Sequence, residues 1–301
     1  IAGSDWSSDV CSSDLETLPE LLPKPIPEHQ TGTSRGNADN RMYIKEEILF
    51  IIMNSFKGKL YISDNPFNWP SVDMFAGLEN YTEGIRKTGF FAAFGWSAFI
   101  TVGSVLVIVL FTSMTAWYIT RVKTRLSNTL YYLFVFSMVV PFQMVMFTMS
   151  KLADMLKLNN PVGMIFLYLG FGAGLSVFMF CGFVKSIPLE IEEAAMIDGC
   201  TPIQTFFQIV MPILKPTAIT VAILNVMWVW NDYLLPYLVI GVSTPYKTIP
   251  VAVQYLMGSY GAKDYGSMMA LLVLAIIPII AFYLFCQKYI IEGVVAGAVK
   301  G

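Results

Sequence analysis

Long apolar runs separated by short polar segments organise this chain. Five runs are long enough to cross a bilayer as a helix, which takes ~20 residues: residues 90–119, 130–149, 162–184, 213–240 and 267–286. A sixth run, residues 48–53, is far shorter and is interpreted as the end of a truncated helix. The pattern predicts an all-α, polytopic transmembrane helical bundle. It has five clear spans, or six with both ends inside if a complete first helix precedes Asn54.

Basic residues indicate which ends of these runs face the cytoplasm, because short cytoplasmic loops carry an excess of Lys and Arg. They follow the first, third and fifth long runs: Arg121, Lys123, Arg125, Lys185, Lys288 and Lys300. This order predicts that residues 186–217 and the C-terminus are cytoplasmic, and that residues 241–266 form an external loop.

The amino-acid composition also indicates that most of the protein surface contacts lipid. Of the 301 residues, 55% are hydrophobic and 13% are charged, whereas soluble domains carry about a quarter charged residues. The formal net charge of −2 gives no indication of a nucleic-acid partner. Four scattered cysteines and the lone His29 lack the spacing of a disulfide framework, a metal site or a catalytic site.

The first 47 residues are expected to be a non-native or disordered leader. Residues 5–15 read DWSSDVCSSDL, which resembles the translation of a sequencing adapter. Residues 16–40 are rich in Pro, Glu, Gly and Thr without an apolar period, as in disordered segments. The transmembrane domain is therefore assigned to residues 48–301.

A polar segment between the third and fourth long runs predicts two short helices at an angle. The first has Pro188 in its first turn and Gly199 as its stop, and its negative charge lies near its N-terminus, on Glu190, Glu192 and Glu193. The second begins at Thr201, whose spacing to Gln204 is that of a capping box, and extends to Pro212. Together they form a cytoplasmic knob.

The same segment resembles the signature loop of the permeases of ATP-binding-cassette (ABC) importers. The matching residues are Glu193, Ala194, Ala195, Gly199, Ile209 and Pro212, with Met211 in place of the usual leucine. Three further segments, NSFK at 54–57, WNDY at 230–233 and GAVKG at 297–301, extend the resemblance to the maltose-type carbohydrate permeases over about the last five-sixths of the chain.

The resemblance implies that residues 193–212, here called the coupling loop, dock in a cleft of a separate ATPase. The residues implied to carry this contact are Glu193, Ala194, Ala195, Asp198, Gly199, Ile209 and Pro212. Both alanines are expected to let the helix approach its partner, and Glu193 is expected to pair with a basic group there.

The resemblance also implies a location and a set of partners. They are the bacterial inner membrane, a second permease subunit, an ABC ATPase dimer and an extracytoplasmic solute-binding protein. No Gly-x-x-x-x-Gly-Lys-Ser/Thr motif occurs in the chain. We therefore expect this chain to be a transport subunit that is not an enzyme and binds no cofactor, with ATP and Mg²⁺ held by the ATPase.

The fourth long run contains a candidate substrate pathway. Asn225, Trp228, Asp232 and Pro236 fall on one helical face at the 3.6-residue period. An aromatic ring beside amides and a carboxylate suits a carbohydrate, so the candidate residues are Asn225, Trp228, Asn231, Asp232 and Tyr233. The alternative is that Asp232 lies near the external interface and has a structural role.

Two other functions remain open. The chain could be an ABC permease for another small solute, or an ion-coupled secondary carrier with Asp232 as its proton or cation site. A membrane-embedded enzyme is the weakest alternative, since the apolar runs contain no paired His, Asp or Glu constellation.

Overall fold

The computed structural model describes residues 46–242, 244–257 and 264–298, with side chains up to residue 287. The chain divides into two compact units, residues 1–48 and 49–301. In the first unit the described residues, 46–48, are helical. The predicted leader therefore lies outside the described residues except for residues 46 and 47. The GAVKG segment is described only at residues 297 and 298.

The second unit is built from helices, and its described residues contain no β-strand. It begins with helical residues 49–55 (α1), which include most of the run interpreted as a truncated first helix. The next helices are α2 (Lys59–Asp64), α3 (Glu79–Thr88), α4 (Phe90–Arg121), α5 (Arg125–Val139), α6 (Phe142–Met155) and α7 (Pro161–Val184). They are followed by α8 (Leu189–Ile197), α9 (Pro202–Thr205), α10 (Lys215–Asn231), α11 (Leu234–Pro236), α12 (Ile249–Gln254) and α13 (Tyr265–Ala298).

Three described helices are long and apolar enough to cross a membrane alone: α4, α7 and α13 up to Gln287. Two bent pairs bring the number to five if each pair is one span. The all-α, polytopic bundle predicted from the sequence is therefore confirmed.

Residues 130–149 do not form one continuous helix. The segment is split into α5 and α6, which meet at 108°. Val140 is extended, with φ −74° and ψ 114°, and Pro141 follows it. Because proline has no backbone N–H and disfavours a helical conformation in the residue before it, the helix ends here.

Residues 213–240 are also broken, at two places. The segment Pro202–Ile213 meets α10 at 76°, and α10 ends at Asn231, because Asp232 is extended with φ −71° and ψ 123°. The single helical face proposed for Asn225, Trp228, Asp232 and Pro236 is therefore wrong, since it requires one helix through Asp232.

The core of the bundle lies where α4, α7 and α10 meet. α4 packs along α7, and α10 packs against both. Gly172 permits this approach: a Cβ there would lie 2.7 Å from Ile108 Cδ1 of α4 and 2.8 Å from Asn225 Oδ1 of α10. The three helices are thus held too closely for a larger side chain at this position.

The NSFK segment is the centre of a small cap that precedes α4. Asn54, Ser55 and Lys57 are fully buried. Lys57 Nζ donates hydrogen bonds to Asn54 Oδ1 and to the Asn65 and Pro66 carbonyls at 2.9–3.1 Å. Asn80 of α3 donates to the Ser55 and Lys57 carbonyls, both at 2.8 Å. The motif therefore joins the loops before α4 to α3.

Candidate functional site

Two short helices separated by a tight turn carry the coupling loop, which begins inside α8 and includes α9. Gly199 has a φ of +89°, a conformation that residues with a side chain rarely adopt. Thr201 N donates to Gln204 Oε1 at 2.8 Å and Gln204 N donates to Thr201 Oγ1 at 3.4 Å, which completes the predicted capping box. The prediction that Pro188 lies in the first turn of the first short helix is wrong, because Pro188 precedes α8 as its N-cap.

Beyond α9 the chain makes a wide π-helical turn, Phe206–Val210, before Pro212. Proline cannot donate a backbone hydrogen bond, and a π turn is one way for a helix to accommodate the missing bond. The turn contains Ile209, which is half-buried, while Pro212 is exposed. These two residues lie on the approach to α10.

Not all the residues expected to contact the ATPase are exposed in and just after α8. Glu193, Ala194, Asp198 and Gly199 are exposed, but Ala195 is only 7% exposed. The expectation that both alanines face a partner is therefore wrong for Ala195. Ala194 remains available for a close contact.

Sequence reasoning missed the role of Glu192. The residue is 2% exposed. Its carboxylate accepts hydrogen bonds from Arg121 Nη2 at 2.6 Å and Nε at 2.9 Å, both to Oε1, and from Trp117 Nε1 at 2.9 Å to Oε2. The available signal was the spacing of Glu192 and Ala195, which places both on one helical face. Arg121 could not be chosen from the sequence because it ends a different helix.

The break after α10 brings together a second group of polar side chains. The hydroxyl of the fully buried Tyr168 donates to Asp232 Oδ2 at 2.9 Å, and Leu234 N donates to Oδ1 at 3.0 Å. The Trp228 ring contacts the Tyr168 ring edge-on, with centroids 5.4 Å apart. Trp228 and Asp232 are therefore neighbours through Tyr168, although they share no helical face.

Asn225 makes a different set of contacts from Tyr168, Trp228 and Asp232. It is 6% exposed, and its amide donates to the Val221 carbonyl at 2.8 Å and to Ser176 Oγ at 3.3 Å. Its bond to Ser176 therefore joins α10 to α7. A solute cannot reach this amide without a rearrangement of the helices.

Asn231 and Tyr233 border an open cavity of about 400 Å³. The cavity lies between the end of α10, α12 and α13, and Trp230 and Gln254 complete its polar and aromatic lining. Asn231 Nδ2 is bonded to the Met227 carbonyl at 2.7 Å. Among the candidate pathway residues, these two line the cavity, whereas Asn225 and Asp232 are not part of its lining.

Comparisons with known proteins fit this architecture. Residues 108–295, more than half of the chain, match the family described as "Binding-protein-dependent transport system inner membrane component". The chain belongs to this family. It is therefore a membrane protein and a transport subunit rather than an enzyme, and the family as a whole works with ATPase and binding-protein partners.

Several relatives are similar over most of their length. The chain is 40% identical to the "Probable starch degradation products transport system permease protein AmyC" of Thermoanaerobacterium thermosulfurigenes, over 83% of this chain and 89% of the relative. It is 35% identical to the "Multiple sugar-binding transport system permease protein MsmG" of Streptococcus mutans, over 84% and 91%.

The fold also matches a solved structure, described as a bacterial ABC transporter involved in the import of the acidic polysaccharide alginate. The TM-score is 0.63 at 19% identity, and the match covers 88% of this chain and 99% of that chain. At this identity the likeness concerns the fold alone.

Proposed function

We propose that this chain is one of two membrane-spanning subunits of an ATP-driven importer that carries a carbohydrate across the bacterial inner membrane. The names of the relatives from Thermoanaerobacterium thermosulfurigenes and Streptococcus mutans support a sugar or starch-derived solute. Another small solute is the alternative within the same class. The partners are a second permease subunit, an ABC ATPase dimer and an extracytoplasmic solute-binding protein.

The observation that carries the proposal is the exposed coupling loop between α7 and α10. Glu193 and Ala194 lie at its surface, with the left-handed turn at Gly199 beside them. A small residue permits close helix docking, and a neighbouring carboxylate can pair with a basic group on the ATPase. ATP and Mg²⁺ are held by that ATPase, and this chain binds no cofactor of its own.

Basic residues support the orientation of the chain. Arg121 ends α4, Lys123 follows it and Arg125 begins α5. Arg121 contacts Glu192, the residue just before the coupling loop. By the positive-inside rule this side is cytoplasmic. The coupling loop and the C-terminus then lie in the cytoplasm, where the ATPase is.

The cavity beside Asn231 and Tyr233 is the carbohydrate contact we favour on this chain. Its volume falls in the range of small-molecule sites, which is about 300–1,000 Å³. The Trp230 and Tyr233 rings offer faces for sugar C–H groups, and the Asn231 and Gln254 amides offer hydrogen bonds. Asn225, Trp228 and Asp232 would support the pathway by packing rather than touch the solute.

An ion-coupled carrier is disfavoured by the contacts of Asp232. Both oxygens of its carboxylate already accept hydrogen bonds, from Tyr168 and from Leu234 N. The bond from Tyr168 joins this carboxylate to α7, and the bond from Leu234 N holds the backbone turn just after α10. Asp232 therefore suits a structural role at the end of α10.

Reconstitution of the full complex in proteoliposomes tests the proposal. We expect carbohydrate uptake that requires the loaded binding protein and ATP, is stopped by vanadate and is lost without the ATPase. Uptake that persists without the ATPase and collapses with a protonophore would establish the secondary carrier instead.

The cavity is tested by Gln254→Ala and Tyr233→Leu, which remove an amide and an aromatic ring, with Gln143→Ala as the control. Gln143 is an exposed amide of α6 that does not line the cavity. The two cavity variants should raise the half-saturating concentration of the loaded binding protein or lower the uptake rate, while Gln143→Ala leaves uptake unchanged. Normal uptake by both cavity variants would refute this contact.

A further inference from the structure

We infer that Glu192 and Arg121 are a positioning pair that transmits movement of the coupling loop to α4. This inference rests on the proposed function, because it concerns how force from the ATPase reaches the spans. It assigns to Glu192 a role distinct from that of Glu193: Glu193 faces outward to the partner, and Glu192 faces inward to the bundle.

The pair is buried and its hydrogen bonding is dense. The side chain of Glu192 is 3% exposed and that of Arg121 is 18% exposed. One carboxylate accepts two hydrogen bonds from the Arg121 guanidinium and one from the Trp117 indole. Charge-assisted bonds in a site shielded from water are stronger and more directional than exposed ion pairs. The carboxylate is therefore held firmly at the end of α4.

Arg121 also forms a hydrogen bond with the segment just before α8. Its Nη2 donates to the Ile187 carbonyl at 3.0 Å, just before the helix begins. The π-helical turn after α9 is held at the same place, because the Trp117 ring packs on Phe206 with centroids 5.6 Å apart. Two side chains of α4 thus contact both α8, with the residue before it, and the turn that follows α9.

Connectivity explains why such a link matters. The coupling loop continues directly from α7 and into α10, so its movement reaches those two helices through the chain. α4 ends 71 residues before Glu192, and it can follow the loop only through contacts in space. Since α4 packs along α7 and α10, a firm link would let the three helices move together as one body.

The alternative is that the pair only stabilises the fold. The two roles differ in a measurable ratio: the number of solute molecules imported per ATP hydrolysed by the assembled complex. Loss of stability lowers the amount of complex but leaves this ratio unchanged. Loss of transmission lowers the ratio in complex that has assembled normally.

Glu192→Gln in the full reconstituted complex is the test, with Glu190→Gln as the matched control. Both change one carboxylate of the same short helix to an amide, but Glu190 is exposed. We expect Glu192→Gln to retain the bound ATPase while its transport-to-hydrolysis ratio falls about tenfold, which corresponds to the loss of one strong interaction. Glu190→Gln should keep the wild-type ratio.

An unchanged ratio in Glu192→Gln, with normal ATP-driven uptake, would overturn this inference and leave the proposed function intact. Absence of ATP-driven uptake in the wild-type complex would instead overturn the proposed function. If Glu192→Gln does not assemble, Trp117→Phe decides. It keeps the ion pair and an aromatic ring on Phe206 but removes one hydrogen bond; a lowered ratio supports the inference, and a wild-type ratio overturns it.

Discussion

The Tyr168 hydroxyl and the Asp232 carboxylate are hydrogen-bonded at 2.9 Å, from the middle of α7 to the break after α10. Tyr168→Phe removes this bond and leaves one oxygen of a largely buried carboxylate unpaired. An unpaired buried polar group costs about 1–3 kcal/mol, so we expect a lower melting temperature in detergent. Tyr132→Phe is the control, because Tyr132 is 70% exposed. Equal melting temperatures for the two variants would contradict a structural role for this contact.

Gly172 predicts a steric test of the core. In Gly172→Ala the new methyl group would contact Ile108 and Asn225 at less than 3 Å, and such overpacking costs about 1–3 kcal/mol. Gly170→Ala is the control, since no described atom lies within 4 Å of a Cβ built there. The melting temperature of the purified chain should be lower for Gly172→Ala than for Gly170→Ala. If Gly172→Ala were as stable as Gly170→Ala, the close approach of α4, α7 and α10 would be wrong.

The turn at Gly199 predicts a backbone test in the coupling loop. A residue with a Cβ in this left-handed conformation costs roughly 1–2 kcal/mol, although the side chain itself would meet no described atom within 4 Å. Gly199→Ala should therefore shift the angle between α8 and α9 and weaken ATPase binding. Gly199→Asn should be milder, because Asn tolerates this conformation better. Co-purification of the ATPase measures both; full retention by Gly199→Ala would count against the turn.

Asp264 predicts a dependence of stability on pH. Partial burial acts to raise the pKa of Asp264, but hydrogen bonds from Lys87 and Ser267 and the nearby charge of Lys59 outweigh it, so its pKa lies below the ordinary value. A depressed carboxyl pKa contributes stability that is fully present above the unfolded value, near ~4, and is lost as the pH falls through the folded value.

Asp264→Asn should therefore lower the melting temperature at neutral pH, and the difference from wild type should shrink as the solution becomes acidic. Asp73→Asn, at an exposed position, is the control. A difference that stays constant from neutral to acid pH would show that the ion pairs of Asp264 do not stabilise the fold.

The features predicted correctly from the sequence depend on local patterns. The length of the apolar runs predicts the long spans. The capping box and Gly199 predict the two short helices that carry the coupling loop, because these signals involve residues within one or two turns. The breaks at Pro141 and Asp232 were harder, since a proline or a polar residue inside an apolar run can be tolerated in a continuous helix.

The contacts missed from the sequence join residues that are far apart in the chain. Tyr168 and Asp232 are 64 positions apart, and Arg121 and Glu192 are 71 apart. Hydrophobic periodicity cannot tell which of three neighbouring glutamates turns inward, because the answer depends on where α4 ends in space. For the same reason the sequence grouped Asn225 with Asn231, whereas the fold puts one in the core and the other beside a cavity.

Ala194→Asp tests the central claim most directly, because it places a charged side chain on the exposed face of α8 without touching the core. The measurement is ATP-driven carbohydrate uptake by the reconstituted complex, together with the amount of ATPase bound. We predict that Ala194→Asp inserts into the membrane normally, binds little ATPase and gives no uptake, while Glu190→Gln gives both. Wild-type ATPase binding and uptake with Ala194→Asp would contradict the coupling assignment.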